Sequence, residues 1–280
     1  MDSREPDSGR IRLDLAYDGT AFSGWARQPR LRTVQGVLEE ALATIFRRHD
    51  EAPRITVAGR TDVGVHATGQ VAHVDLTPAQ HASLRGDLAK RLNGIAGLDA
   101  DVRVFRSAPA AAGFDARFSA LWRRYEYRIA DAAALHDPRR RTHTLWHPGS
   151  LDADAMHAAA QSLLGLHDFA AFCKPREGAT TIRTLQEFTW HRDEDGVLIA
   201  RLQADAFCHS MVRALIGACV DAAADVVRLR DAAVRTSAFK VMPAKGLTLV
   251  EVGYPPDAEL AVRAEQTRAR RSLAEQQPID

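Results

Sequence analysis

The chain has 280 residues, 46% hydrophobic and 26% charged, with a formal net charge of +1 and a pI of about 7.9. This fits a soluble globular protein of one large or two smaller domains, and the near-zero charge means that any surface for a polyanion is local rather than global. Cys173, Cys208 and Cys219 are too few and too scattered for a disulfide framework or a zinc knuckle, and the chain has neither an apolar N-terminal region nor an uninterrupted membrane-length apolar run. A reducing cytoplasm is therefore expected, and no membrane.

After a polar tail at 1–10, Ile11, Leu13, Leu15 and Tyr17 alternate on one face of a predicted strand that ends at the Asp18-Gly19 turn. Thr33 is a predicted N-cap for a helix whose apolar positions Val34, Val37, Leu38, Ala41, Leu42 and Ile45 follow helical spacing. Short β-type runs at Arg54–Ala58 and Gln70–Leu76 come next, then a helix from about Leu84 to Asn93 and a strand at Asp101–Phe105. This first half, 11–115, reads β-α-β-β-α-β.

The second half, 116–255, repeats the order without repeating the sequence. Leu121, Tyr125, Tyr127 and Ile129 share one strand face, with Arg123 as the exception on it. A helix from about Asp152 to Leu164 follows, then a hairpin of Thr181–His191 and Val197–Ala204 turned at Asp193–Gly196, a helix from about Phe207 to Val227, and a last strand at Leu247–Val252. A polar tail occupies 256–280. Two tandem ferredoxin-like (split βαβ) halves, an α+β fold with a central cleft between antiparallel sheets, account for this order most economically.

The stretch Ala58–Asp75 concentrates the chemistry. Gly59 and Gly64 flank Arg60-Thr61-Asp62, a pattern suited either to a loop shaped around a ligand or to a long hairpin connection with a capping Asp. Arg213, on the predicted Phe207–Val227 helix, points off the stripe of Phe207, Met211 and Leu215. It is free to keep a carboxylate ionised, or to form a plain salt bridge. Tyr125 is either core or a platform for a flat base. Arg123, Arg124, Arg128 and Arg139-Arg140-Arg141 offer a local phosphate surface or a solvated charge run. His66, His73 and Asp75 are the metal candidates, but His66 is expected on the loop and no fourth ligand is evident. Gly59–Gly64 lacks the Gly-Lys-Ser/Thr ending of a P-loop.

The segments Tyr17–Trp25, Thr33–Glu39, Ala58–Gln70, Phe118–Tyr127, Leu164–Phe169, Met211–Arg213 and Pro243–Leu247 together resemble, in order, the bacterial tRNA pseudouridine synthase A family. The resemblance implies isomerisation of uridine to pseudouridine at positions 38, 39 and 40 of the tRNA anticodon stem-loop, without cofactor or required metal, by a homodimer. It implies Asp62 as nucleophile, Tyr125 stacking on the uracil and helping to remove the C5 proton, Arg60 supporting base flipping, Arg213 pairing with Asp62, and Leu247 walling the pocket. Departures from the family pattern fall at Trp25–Pro29, Asn93–Leu98 and Asp221–Val241, away from Asp62 and Tyr125. A catalytically silent RNA-binding protein of the same fold is the alternative, which the combination of Asp62, Arg60 and Tyr125 argues against. An Asp-nucleophile hydrolase usually calls for a second carboxylate two residues on, where this chain has Gly64.

Overall fold

The structure is a computed structural model that describes residues 9–97, 100–175, 180–232 and 234–268. Residues 1–8 and 269–280 of the polar tails, Leu98 of the Asn93–Leu98 departure and Ala233 of the Asp221–Val241 departure lie outside these ranges. The elements in chain order are β1 (Arg10–Tyr17), α1 (Val34–Ile45), β2 (Ile55–Val57), β3 (His66–Asp75), α2 (Pro78–Ser83), α3 (Leu88–Ala96) and β4 (Val102–Pro109). They continue with β5 (Trp122–Ala130), β6 (Leu145–Trp146), α4 (Ala153–Gln161), β7 (Gly165–Asp168), β8 (Ile182–Arg192), β9 (Leu198–Ala204), α5 (Met211–Ala222), α6 (Val226–Asp231), β10 (Leu247–Gly253) and α7 (Leu260–Arg268). Two compact units result. One holds the described residues up to Leu121 together with Glu251–Arg268, and the other holds Trp122–Val250.

In the first unit β1 pairs antiparallel with both β3 and β4, and β2 pairs antiparallel with β3, giving the strand order β4-β1-β3-β2. The alternation expected of β1 is present: Ile11, Leu13, Leu15 and Tyr17 are buried and their neighbours half-exposed. Leu38 and Leu42 of α1 and Leu88 and Leu92 of α3 are buried with them, each such side chain contributing about 2 kcal/mol of apolar burial. Thr33 caps α1 as expected, its hydroxyl accepting from the Gly36 N–H.

The helix expected from about Leu84 to Asn93 runs instead from Leu88 to Ala96 as α3, and a separate helix, α2 at Pro78–Ser83, precedes it unannounced. A Thr77/Gln80 capping box with Pro78 in the first turn starts α2, and Asp87 caps α3. Between them Gly86 takes φ +75°, which a continuous helix cannot accommodate. At the other end of the unit, α7 forms where the sequence suggests only a polar tail, with Leu260 and Ala264 buried.

The second unit repeats the strand order. β5 pairs antiparallel with β9, β9 with β8, and β8 with β7, while β10 neighbours β5, so the four principal strands run β10-β5-β9-β8. The fourth, first, third and second strands thus stand side by side in both units, and the chain has the α+β duplicated split-βαβ fold read from its element order. β6, in contrast to β7, β8 and β9, runs parallel to its neighbour β5. The helix expected over Phe207–Val227 begins only at Met211, because Ser210 takes a left-handed φ of +63°, and it ends at Ala222 before α6.

Cys173 and Cys208 are joined as a disulfide with Cα atoms 5.7 Å apart, a pairing that their spacing of 35 residues does not announce. Burial pushes the thiol of Cys219 up to about 12, which keeps it protonated and unreactive. Among the described residues no helix is long and apolar enough to cross a membrane.

Candidate active site

In the first unit the Arg60–Asp62 segment sits on a short loop between β2 and β3. β3 begins at His66, so the connection is shorter than the sequence suggests. Ala58 N–H donates to the Val71 carbonyl at 2.8 Å and closes the entrance to the loop. Beyond it the loop backbone is held from outside: Trp25 N–H donates to the Thr61 carbonyl at 3.0 Å, and Gly64 N–H to the Phe22 carbonyl at 3.4 Å. Within the loop Val65 N–H reaches the Asp62 carbonyl at 3.2 Å, a tight turn that places Gly64 at φ +77°. The result graduates burial across four residues. Arg60 is exposed, Thr61 buried, Asp62 half-buried and Val63 exposed. A half-buried carboxylate on a backbone held at its neighbours can meet a ligand without reorganising.

His66 is not on the loop. It opens β3, is buried, and its Nδ1 accepts from the Gly19 N–H at 3.1 Å. The other metal candidates are also engaged. His73 Nδ1 accepts from the Ala116 N–H at 3.0 Å, and Asp75 takes a bidentate pair of hydrogen bonds from Arg10 at 2.6 and 2.8 Å. Arg10 holds the Asp75 carboxyl below its ordinary range. Among the described residues no group of three His, Cys, Asp or Glu side chains is arranged to hold a metal ion.

In the second unit Tyr125 lies in the middle of β5, 8% exposed, and its ring meets the Phe207 ring edge-on with centroids 5.2 Å apart. Phe207 precedes α5 instead of forming part of its stripe. Helical spacing with Met211 and Leu215 assigns it instead to a helix face, and nothing local in the sequence signals its contact with Tyr125. Arg123, the exception on Tyr125's face, is buried with Nη1 donating to the Asp205 carbonyl at 2.9 Å, so the backbone meets one of its donors.

The remaining arginines are interleaved with acceptors. Arg124 donates to Gln203 at 2.6 Å, Arg128 pairs with Asp193 at 2.6 Å, Arg139 with Asp137 at 2.7 Å and Arg140 with Asp195 at 3.1 Å. Arg141 donates to the Pro138 carbonyl at 3.0 Å. The surface read as basic is thus a mixed one.

Arg213 is the third residue of α5, half-buried, and its carbonyl accepts from the Met242 N–H at 3.1 Å. Tyr127 OH donates to the Pro243 carbonyl at 2.7 Å, and the Gly246 backbone lies against the Tyr127 ring. Burial pushes the Tyr127 phenol well above its ordinary range, the positive charge of Arg213 opposing weakly, so the phenol stays protonated and can keep donating. These contacts anchor the segment leading into Leu247, the buried first residue of β10, on the strand beside that of Tyr125. Of the five residues singled out, Arg60 and Asp62 belong to the first unit, and Tyr125, Arg213 and Leu247 to the second.

A family model described as tRNA pseudouridine synthase matches residues 159–255. The chain is 64% identical to the tRNA pseudouridine synthase A of Leifsonia xyli subsp. xyli over 94% of its own length and 98% of the relative's. It is 55% identical to that of Streptomyces griseus, covering 97% of each chain, and 50% identical to that of Mycobacterium leprae, covering 94% and 96%.

Proposed function

The chain belongs to the tRNA pseudouridine synthase A family, and from that premise we propose that it isomerises uridine to pseudouridine at positions 38, 39 and 40 of the tRNA anticodon stem-loop, with Asp62 as nucleophile. A pseudouridine synthase is an isomerase. The N1–C1′ bond breaks, the freed uracil turns while held, a C5–C1′ bond forms, the C5 proton leaves and N1 takes up a proton, so that no atom is gained or lost overall.

The observation that carries the assignment of Asp62 is its setting: a half-buried carboxylate between exposed Arg60 and Val63, on a loop whose carbonyls and amides are bonded on both sides of it. Such a group is accessible to a flipped nucleotide yet held in place. Arg60 supports flipping of the base, Tyr125 offers its ring to the uracil, Arg213 contributes positive charge to substrate binding, and Leu247 supplies apolar wall. The enzyme works in the cytoplasm, as a homodimer, on tRNA, without metal or cofactor.

The deciding measurement compares purified Asp62→Asn with the unaltered enzyme on an unmodified tRNA transcript. Binding is expected to persist and pseudouridine formation to vanish, whereas substantial residual isomerisation removes Asp62 from the reaction. Mapping pseudouridine in tRNA from cells lacking the protein should show loss at positions 38 to 40. Loss confined to other positions would overturn the site assignment.

A further inference from the structure

Three side chains with hydrogen-bonding groups are buried in the interior of the first unit: Tyr17 on β1 at 4% exposure, Thr61 on the β2–β3 loop at 8% and Gln70 on β3 at 0%. They lie far apart in sequence and meet in one network. Gln70 Nε2 donates to the Tyr17 hydroxyl oxygen at 3.2 Å and to the Gly59 carbonyl at 2.8 Å. Tyr17 Oη and Thr61 Oγ1 are 2.8 Å apart. Either hydroxyl can donate to the other, and the single Tyr17 proton is available for that bond. Burial pushes the Tyr17 phenol up to about 12, so this proton is present throughout the range in which the enzyme works.

The network grips one side of the loop that carries Asp62, at Gly59 and at the Thr61 side chain. The other side is held by Trp25 N–H on the Thr61 carbonyl, and Gly24 packs against the backbone of Thr61 and Asp62. Trp25 and Phe22 also enclose the Tyr17 ring, with centroids 5.9 and 6.4 Å away. Tyr17 thus ties a strand of the core to the residue next to Asp62, and a shift of its hydroxyl is passed along one covalent bond sequence to the carboxylate. Buried polar groups that satisfy one another in this way select a single geometry, because any displacement leaves a donor or acceptor unmet in an apolar interior.

We propose that Tyr17, Thr61 and Gln70 are positioning residues for the isomerisation, holding the Asp62 loop at the height and angle at which its carboxylate reacts. The inference rests on the reading of Asp62 as nucleophile. None of the three touches substrate in this role; their effect belongs on turnover rather than on tRNA affinity.

The test measures single-turnover pseudouridine formation and tRNA affinity for Thr61→Val, Thr61→Ser, Tyr17→Phe and Asp62→Asn, with thermal melts of each. Thr61→Val and Tyr17→Phe are expected to slow the reaction ~10- to 100-fold, the cost of small misplacement of a reacting group, with tRNA affinity unchanged. Thr61→Ser, which keeps the hydroxyl, restores most of the rate. A folded Thr61→Val with unaltered rate overturns the proposal, as does a loss that Thr61→Ser fails to rescue. If Tyr17→Phe does not fold, the Thr61 pair decides alone. An active Asp62→Asn fails the nucleophile assignment itself, whereas inert Asp62→Asn beside fully active Thr61→Val fails only the network.

Discussion

The Phe207 ring meets the Tyr125 ring at 89°, edge to face, with centroids 5.2 Å apart. Phe207 follows β9 and precedes the left-handed turn at Ser210 that delays the start of α5, so the loop rather than a helix delivers it. An edge-to-face pair of this kind contributes about 0.5 to 1.5 kcal/mol beyond area burial and restricts the Tyr125 ring to one plane.

Phe207→Leu keeps apolar volume but removes the aromatic edge. It is expected to lower kcat about 2- to 10-fold, corresponding to that pair energy, with a smaller change in stability. Steady-state kinetics on a tRNA transcript provide the check, and unchanged kcat confines Phe207 to packing. Tyr125→Phe in the same assay should retain stacking yet slow turnover. Equal rates would leave the Tyr125 hydroxyl without a chemical part.

Asp131 is fully buried and accepts from both Nη atoms of Arg192, at 2.9 and 2.8 Å, and from the Leu151 N–H at 2.9 Å. The Arg192 hydrogen bonds come first among the causes that hold its carboxyl down at about 2. A depressed carboxylate stabilises the fold above its unfolded value of about 4, and that stability is lost as pH falls through about 2. Asp131→Asn is expected to cost about 2 to 4 kcal/mol at pH 7, lessened by the partial exposure of Arg192, and much less at pH 2. Urea unfolding at the two pH values measures both.

His73 behaves oppositely in charge but not in sign. Burial first, and then the Arg10 guanidinium, lower its ring to about 4. Its neutral form is therefore favoured in the fold, and the stability this contributes is complete above the unfolded value near 6.5 and lost as pH falls through about 4. His73→Asn retains an acceptor for the Ala116 N–H and should flatten the stability profile between pH 6.5 and 4. A variant whose unfolding midpoint falls with pH as steeply as the unaltered protein's would contradict this.

At Gly246 an added Cβ would stand 2.7 Å from Tyr127 Cζ and 3.0 Å from the Arg128 carbonyl oxygen, and Tyr127 cannot retreat freely while its hydroxyl holds the Pro243 carbonyl. Gly246→Ala is expected to destabilise by about 1 to 3 kcal/mol, typical of overpacking. Differential scanning calorimetry should show a Tm lower by roughly 2 to 10 °C. An unchanged Tm would mean that the Pro243–Leu247 segment yields easily.

Local physics made much of this fold legible in advance. Strand alternation in β1 and β5, the Thr33 cap and the spacing of α1 depend on residues within a turn or two of each other, and the repeated β-α-β-β-α-β order then leads to the β4-β1-β3-β2 and β10-β5-β9-β8 sheets. The candidate residues were legible for a different reason, as motifs resembling a family. Long-range pairing decided the rest. His66 opens a strand where its ring accepts from the Gly19 N–H and its neighbour Ala67 pairs with Tyr17 of β1, Phe207 leaves its expected helix to meet Tyr125, and Cys173 finds Cys208 across 35 residues. Tyr17, Thr61 and Gln70 carry no local pattern that joins them, since a hydrogen bond between residues 44 or 53 positions apart depends on chain reversals that composition and periodicity do not encode. Where most strands and helices lie is settled by neighbours along the chain; where some of them begin and end, and how the Asp62 loop is held, is settled by atoms that only folding brings within hydrogen-bonding distance.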